Sequence, residues 1–148
     1  MIEASDAAKY FLYLAQQNDD DSISNMKLQK LLYYAQGFYL AIFDTELFSE
    51  RLEKWVHGPV VPSIYHAYKQ FGNQPIPYEG DLDVDNLDTD ARELLDEVYE
   101  VIGQFSAYVL RNKSHKEPPW QNAVNGGYIS NTVLRDYFKT RLVDAEET

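Results

Sequence analysis

The longest stretch of helical periodicity begins at Ser24 and continues to Phe43. Ser24 suits the N-cap, because its hydroxyl can accept a hydrogen bond from the first turn. The pattern predicts an amphipathic helix with Lys27, Lys30 and Gln36 on the surface outside its apolar face. Apolar residues at helical spacing form one stripe, which we expect to face the core: Leu28, Leu31, Leu32, Ala35, Tyr39 and Ile42.

After this helix the pattern changes to short extended segments and turn residues. Residues 47–48 and 52–57 predict two strands, paired as a small hairpin against the helices. The Gly58-Pro59 pair frees and then fixes the backbone, so that it directs the chain into the next helix. Pro62 suits the first turn of that helix, because its missing N–H would be unbonded there.

Further helical segments complete the predicted fold. One covers residues 5–17 with Ser5 near its N-cap, and the others cover residues 89–102, 106–110 and 130–142. The prolines before Trp120 predict a compact turn without regular helix. An acidic tail, residues 144–148, follows. We predict a mainly α fold: a single domain over residues 1–148, with about six helices and a short β-hairpin or strand pair inserted after the second helix.

The composition supports one core. With 148 residues, of which 45% are hydrophobic and 14% aromatic, the chain can form one hydrophobic core and is too short for two domains of ordinary size. No segment approaches the roughly 20 apolar residues that span a bilayer, and the N-terminus lacks a secretory pattern. The absence of cysteine excludes disulfides and thiolate metal sites. We therefore expect a cytoplasmic protein.

The net charge indicates which classes of partner the protein is suited to bind. A net charge of −11 disfavours nucleic acid, since phosphate binding needs clustered Lys and Arg. An acidic protein is better suited to a basic protein partner. The alternative is that the acidic surface only maintains solubility.

Catalytic and metal motifs are poorly represented. His57, His66 and His115 lie far apart and form no zinc spacing. Gly126-Gly127 stands alone without the context of a phosphate-binding loop, and Ser63 is not in a nucleophile elbow. We predict no catalytic residue, no metal site and no cofactor.

The first residues of an acidic loop resemble the first ligands of an EF-hand calcium-binding loop. Asp81, Asp83 and Asp85 repeat at EF-hand ligand spacing. Asn86 stands where that motif needs glycine, and Arg92 stands where it needs the bidentate glutamate. The loop is therefore interpreted as a solvated connection to the next helix.

The segment around Trp55 is the best candidate for a binding site. Strand alternation places Trp55 and His57 on one face, with Val56 opposite. The candidate partner-binding groove consists of Lys27, Lys30, Tyr34, Trp55, His57, Gly58, Pro59, Tyr65, His115 and Trp120. The alternatives are that Trp55 is a core residue, that Gly58-Pro59 only steers the chain, and that Lys30 forms a structural salt bridge.

These same segments resemble a known family. The run from Lys27 to Gln36, followed by Trp55 to Tyr65 and by His115 to Trp120, resembles the Panacea, or SocA-like, antitoxin domain. This family occurs in bacteria and phages, also under the label of phage-associated GepA-like proteins. Ile129-Ser130 and Tyr137-Phe138 are similar to its C-terminal half, so the resemblance covers about residues 24–142.

The resemblance implies an antitoxin of a bacterial, phage or prophage toxin–antitoxin system. Such a protein neutralises a cognate protein toxin, encoded by an adjacent gene, through direct contact. One mode known in the family makes the antitoxin an adaptor that delivers its toxin to the ClpXP protease. Two alternatives remain: a regulatory protein of a mobile genetic element that is unrelated to toxins, and an enzyme that uses the Trp55–His57 groove.

Overall fold

Seven helices and a two-stranded antiparallel hairpin form the part of the chain that the computed structural model describes, residues 1–147 with side chains through residue 142. The mainly α fold with a hairpin after the second helix is confirmed. In chain order the elements are α1 (Ala4–Gln17), α2 (Asn25–Phe43), β1 (Glu53–Trp55), β2 (Gly58–Val60), α3 (Pro62–Tyr68), α4 (Thr89–Val101), α5 (Ala107–His115), α6 (Pro118–Gln121) and α7 (Asn131–Glu147).

Helix α2 is the centre of the molecule, because α1, α3, α4, α5, α7 and β2 all pack against it. The predicted apolar stripe is buried at five of its six positions, but the prediction that Lys27, Lys30 and Gln36 lie on the surface was wrong. Lys27, Lys30 and Gln36 are buried as completely as the apolar positions, with only 1–2% of each residue exposed. Ile42, assigned to the stripe, is 49% exposed. Neighbours on every side bury the polar positions, and the polar atoms find partners in flanking loops.

Gln36 shows how this burial is compensated. Its amide nitrogen donates to the Phe48 carbonyl at 2.8 Å, and its amide oxygen accepts from the Leu47 N–H at 2.9 Å. The side chain thus bonds backbone groups as a neighbouring strand would. Residues 47–48 are anchored to a helix and are not a strand.

The hairpin consequently lies later than predicted. β1 pairs with β2 in the register Glu53 with Val60 and Trp55 with Gly58, with residues 56–57 forming the turn. On its other side Glu53 forms an antiparallel bridge to Tyr128, so the outer edge of β1 is also covered. The expectation that Val56 opposes His57 was wrong, because these two residues form the turn rather than a strand.

Two element starts also differ from the sequence prediction. Helix α1 begins one residue earlier, with Glu3 as N-cap and a reciprocal capping box to Asp6, so Ser5 lies inside the first turn. Helix α6 begins directly at Pro118. A proline is tolerated in a first turn, where its N–H has no helical acceptor, so the Pro-Pro pair starts a short helix rather than preventing one.

The remaining caps agree with prediction. The Ser24 hydroxyl accepts from the Lys27 N–H at 3.3 Å, and Ser106 caps α5 in the same way. Ser130 accepts from two N–H groups of the first turn of α7. These short polar side chains satisfy helix N–H groups that have no internal acceptor.

Helix α7 crosses α2 at Gly37. A Cβ at this position would overlap the Phe138 ring, so glycine is needed for the two helices to approach. Phe138 is buried and forms edge-to-face contacts with Tyr33, Tyr34 and Phe38 of α2. The acidic tail predicted for residues 144–148 lies outside the residues whose side chains the structure describes.

Candidate functional site

A groove of about 1300 Å³ lies where the hairpin, α2, α3, α5 and Trp120 of α6 meet. Much of its lining is either aromatic or cationic. Among the described residues, no Asp or Glu lines it. The aromatic and basic lining residues are Trp55, Tyr65, Tyr108, Trp120, Lys30, Lys54, Lys69, Arg111 and His57.

Gly58 allows the hairpin to sit close over α2. Its φ of +114° lies in the region that L side chains rarely adopt. A Cβ at this position would also lie 2.5 Å from Cε and 3.2 Å from Nζ of Lys30. Glycine is thus required both by the backbone conformation and by the passage of the Lys30 side chain beneath β2.

Trp120 connects α6 to the hairpin. Its indole N–H donates to the Trp55 carbonyl at 3.0 Å, and its ring stacks on His115 with centroids 4.2 Å apart. The Lys54 ammonium lies 4.2 Å from the same ring. Trp55 packs edge-to-face on Tyr65 at 4.9 Å. The aromatic side of the groove is therefore held by specific ring geometry and by one backbone hydrogen bond.

Lys30 forms part of the floor, since it lines the groove although only 1% of the residue is exposed. Its ammonium donates to the Pro59 carbonyl at 3.3 Å. No carboxylate of the described residues lies within ion-pair distance of it. Burial, together with the nearby Arg111 charge, lowers the pKa of Lys30 to about 7.

Arg111 and His57 form a second polar pair in the lining. The Arg111 Nε–H donates to Nδ1 of His57 at 3.0 Å, so this nitrogen acts as the acceptor and the other ring nitrogen carries the proton. Nη1 of Arg111 donates to the Asn112 side chain at 3.2 Å. Two acceptors without negative charge thus orient the guanidinium, and no carboxylate of the described residues forms an ion pair with it.

Buried amides of α2 fix the wall formed by α3 and β2. The Gln29 oxygen accepts from the Val61 N–H at 2.8 Å, and its nitrogen donates to Asn25 at 3.0 Å. Asn25 in turn donates to the Tyr65 carbonyl at 3.0 Å. This chain of hydrogen bonds holds the start of α3 at a fixed distance from α2.

The structure brings together half of the residues named from the sequence. Lys30, Trp55, His57, Tyr65 and Trp120 line the groove. Gly58, Pro59 and His115 lie just behind it, the first two against Lys30 and the third against Trp120. Nε2 of His115 is buried without a hydrogen-bond partner in the described part of the chain.

Lys27 serves a different part of the fold. Its ammonium donates to the Gly103 carbonyl at 2.6 Å and to the Ser22 hydroxyl at 2.9 Å. Burial lowers the pKa of Lys27, an effect that the Asp20 carboxylate partly opposes. These contacts fasten the start of α2 to the end of α4, away from the groove lining.

Tyr34 also points elsewhere, to a buried carboxylate. Its hydroxyl donates to Glu117 at 3.1 Å, beside Tyr33, which donates at 2.9 Å. Burial raises the pKa of Glu117 above its usual value, whereas hydrogen bonds from Tyr33, Tyr34 and Tyr137 act in the opposite direction. The cluster joins α2, α7 and the residue before α6.

Sequence reasoning named His115 of α5 but missed the residues of this helix that line the groove. Arg111 and Tyr108 line the groove from this helix, and Lys54 and Lys69 add charge from β1 and from the turn after α3. The sequence does contain an indication of this basic segment, because no acidic residue lies between Glu100 and Glu117. Charge patterning along the chain would have drawn attention to this segment.

The described residues lack the features of metal sites and of membrane-spanning helices. No group of three or more His, Cys, Asp or Glu side chains could hold a metal ion in the described part. In the acidic loop Asp81 pairs with Lys9 at 3.1 Å and Asp88 caps α4. None of the described helices combines the length and apolar character needed to cross a bilayer.

Comparisons with known proteins agree on one family. A family model described as the SocA-like antitoxin, Panacea domain, matches residues 28–121. The antitoxin SocA of Caulobacter vibrioides (strain NA1000 / CB15N) is 31% identical over 144 residues, covering 84% of this chain and 76% of that protein. No solved structure matches the chain. The matched segment runs from α2 to the end of α6 and contains most of the groove lining.

Proposed function

The chain belongs to the family of SocA-like antitoxins with a Panacea domain, and on this premise we propose that it neutralises a cognate toxin by direct protein–protein contact. The observation that carries the proposal is the groove, whose lining combines two Trp and two Tyr with Arg111. Trp, Tyr and Arg are the residues that dominate binding energy at protein interfaces.

The exposed rim of the groove is suited to initial contact. Val56 at the tip of the hairpin is 77% exposed, and Tyr108 on α5 is 68% exposed. Large apolar side chains in such positions lose water contact when a partner docks. Trp120 and Trp55 lie deeper and would serve as preorganised anchors, because intramolecular contacts already fix their rings.

The proposed partner is a protein toxin encoded by an adjacent gene, with both proteins in the cytoplasm. The proposed action is non-enzymatic and needs no cofactor. The groove-enzyme alternative predicts substrate turnover that disappears in His57→Ala while folding is retained. The mobile-element alternative predicts a neighbouring gene product that is harmless when expressed alone.

Co-expression tests the proposal. The adjacent open reading frame is induced alone and together with this chain, and growth is measured. We expect the neighbour to arrest growth alone and the chain to restore it. The double variant Val56→Ser/Tyr108→Ser should weaken binding about tenfold or more, because it removes apolar rim contacts at small cost to folding.

Val101→Ser is the matched control, since Val101 is an exposed apolar residue of α4 that does not line the groove. It should rescue growth as the wild type does. A harmless neighbour, or a toxic one that neither binds the chain nor is rescued by it, would refute the antitoxin function.

Masking and protease delivery make different predictions in the same assay. If the chain masks its toxin, rescue persists in cells that lack ClpXP and toxin levels stay constant. If it acts as an adaptor, rescue disappears in those cells and the toxin accumulates. Immunoblots of tagged toxin, with and without the chain, separate the two modes.

A further inference from the structure

The groove carries the opposite charge to the rest of the molecule. The chain has 24 acidic and 13 Lys or Arg residues, yet the groove is lined by Lys30, Lys54, Lys69 and Arg111. No acidic side chain among the described residues lines it, and the nearby Glu53 accepts from the Trp55 indole instead. Uncompensated positive charge in a concave surface attracts anions and raises their local concentration.

Lys30 is the strongest indication of an external anion. Buried cations are normally paired, because removal from water strongly disfavours an isolated charge. The only acceptor of its ammonium in the described structure is the Pro59 carbonyl, at 3.3 Å. Gly58 makes room for the lysine at this place, so the fold accommodates on the groove floor an amino group that has no carboxylate partner among the described residues.

Arg111 provides a second point of attachment. His57 and Asn112, both neutral acceptors, occupy its Nε and Nη1 donors, and no carboxylate of the described residues pairs with it. A guanidinium oriented in this way binds a carboxylate through its remaining donors with little further loss of conformational freedom.

Size and lining favour a polypeptide over a small anion. Small-molecule sites usually occupy about 300–1000 Å³, and this groove exceeds that range. Its aromatic wall, formed by Trp55, Tyr65 and Trp120, matches bulky apolar side chains rather than a compact inorganic ion. The ligand should therefore present carboxylates and an apolar anchor together.

We propose that the groove binds an acidic stretch of a partner polypeptide, with carboxylates at Lys30 and Arg111 and a bulky apolar side chain against Trp55 and Trp120. This inference rests on the proposed function only in taking the occupant to be a segment of the toxin. The acidic exterior remains available to basic parts of the same partner, so the two surfaces recognise opposite charges.

The test begins with random peptides displayed on phage and selected against the full chain. We expect the selected peptides to be enriched in Asp, Glu, Trp, Phe and Leu relative to the starting library. Representative peptides are then measured by fluorescence polarisation. Lys30→Met and Arg111→Gln should each weaken binding at least about tenfold, since each leaves a peptide carboxylate unpaired.

Arg135→Gln is the matched control, because Arg135 on α7 does not line the groove. It should bind the same peptides as the wild type. Unfolding curves of each variant establish that the fold is retained. Lys30→Met preserves side-chain length without the buried charge, so loss of binding in a stable protein identifies the missing cation as the cause.

Three results would overturn the proposal: enrichment of Lys and Arg, selected peptides whose binding both groove variants leave unchanged, and failure to select any peptide. If ATP or inorganic phosphate binds the groove in the last case, the groove is assigned to a small anion. Growth rescue with intact wild-type protein is scored independently. Failed peptide selection with successful rescue refutes this inference alone, whereas failed rescue refutes the antitoxin function.

Discussion

A single side chain, Lys30, illustrates the conflict between folding and binding. Folding removes the lysine from water and gives it one carbonyl acceptor, so the charged form is disfavoured in the native state. Its pKa falls to about 7, which leaves the group partly charged near neutral pH. An incoming carboxylate would stabilise the charged form, so binding and protonation should reinforce each other.

Lys30→Met should raise the free energy of unfolding by roughly 1–4 kcal/mol at pH 7, because it removes a buried charge at nearly constant volume. The pH dependence has a defined sign. A lysine with a lowered native pKa costs no stability above its unfolded pKa of 10.5, and its cost grows as pH falls toward about 7. Urea unfolding between pH 7 and 10.5 should therefore show the gain shrinking as pH rises.

Lys139→Gln provides the comparison, since Lys139 is a half-exposed lysine of α7 that pairs with Asp44 at 2.9 Å. A loss of stability in Lys30→Met at neutral pH would mean that an unrecognised partner compensates the buried ammonium.

At the scale of elements, α2 acts as both core and scaffold. Its apolar residues contact the surrounding helices, while Asn25, Gln29 and Gln36 bond backbone groups of the flanking segments. Gln29 and Gln36 bond backbone groups outside regular structure, at Val61 and at residues 47–48, whereas Asn25 bonds a carbonyl of α3. The hairpin and the start of α3 are thereby positioned by a helix rather than by a larger sheet.

Gln36→Leu should lower the free energy of unfolding by roughly 2–4 kcal/mol. The leucine fits an apolar environment, but the buried N–H of Leu47 and the carbonyl of Phe48 lose their partner. Thermal or urea unfolding measures the loss. Hydrogen exchange should accelerate at the Leu47 amide in particular.

Gln16→Leu on α1 makes the same chemical change at an exposed position and should shift stability by less than about 0.5 kcal/mol. Equal effects of the two substitutions would show that the Gln36 hydrogen bonds contribute nothing measurable.

At the scale of the whole molecule, charge is distributed unevenly along the chain and around the fold. Ten acidic residues lie in residues 79–100, in the loop before α4 and in α4 itself, whereas residues 101–116 contain none. One carboxylate, Glu117, is buried where α2, α7 and the segment before α6 meet. Its burial links the stability of the fold to its titration, in addition to the partly buried Asp20, where the effect of burial is outweighed by hydrogen bonds from Ser22 and Tyr99 that lower the pKa.

Glu117→Gln should change the pH dependence of unfolding. Burial raises the native pKa of Glu117, so its contribution is complete below the unfolded pKa of 4.5 and is lost as pH rises through the native pKa. The variant does not ionise, so its stability relative to wild type should increase over that interval and then level off. Urea unfolding at a series of acidic to neutral pH values measures this difference.

Glu97→Gln, which alters an exposed carboxylate of α4, controls for the general effect of removing one negative charge. If the free energy of unfolding of Glu117→Gln relative to wild type falls as the pH rises, the tyrosine hydrogen bonds outweigh the cost of burial.

The sequence by itself determined the mainly α fold, the serine caps of α2, α5 and α7, the presence of a hairpin and the family. Periodicity and capping depend on residues within one or two turns, so they can be recognised along the chain. The Trp55–Tyr65 segment was likewise recognised locally, and the family resemblance that it carried is confirmed.

Only the tertiary structure decided which polar residues are buried and which of them meet in one groove. Lys27, Lys30, Tyr34 and Gln36 share one helix and similar local surroundings, yet they serve Gly103, the groove floor, Glu117 and Phe48 respectively. Their partners are distant in sequence, and a polar side chain becomes stable in the interior only when such a partner arrives. The local pattern does not show which distant partner each side chain meets, so the sequence indicated a segment without acidic residues but not the groove that this segment helps to form.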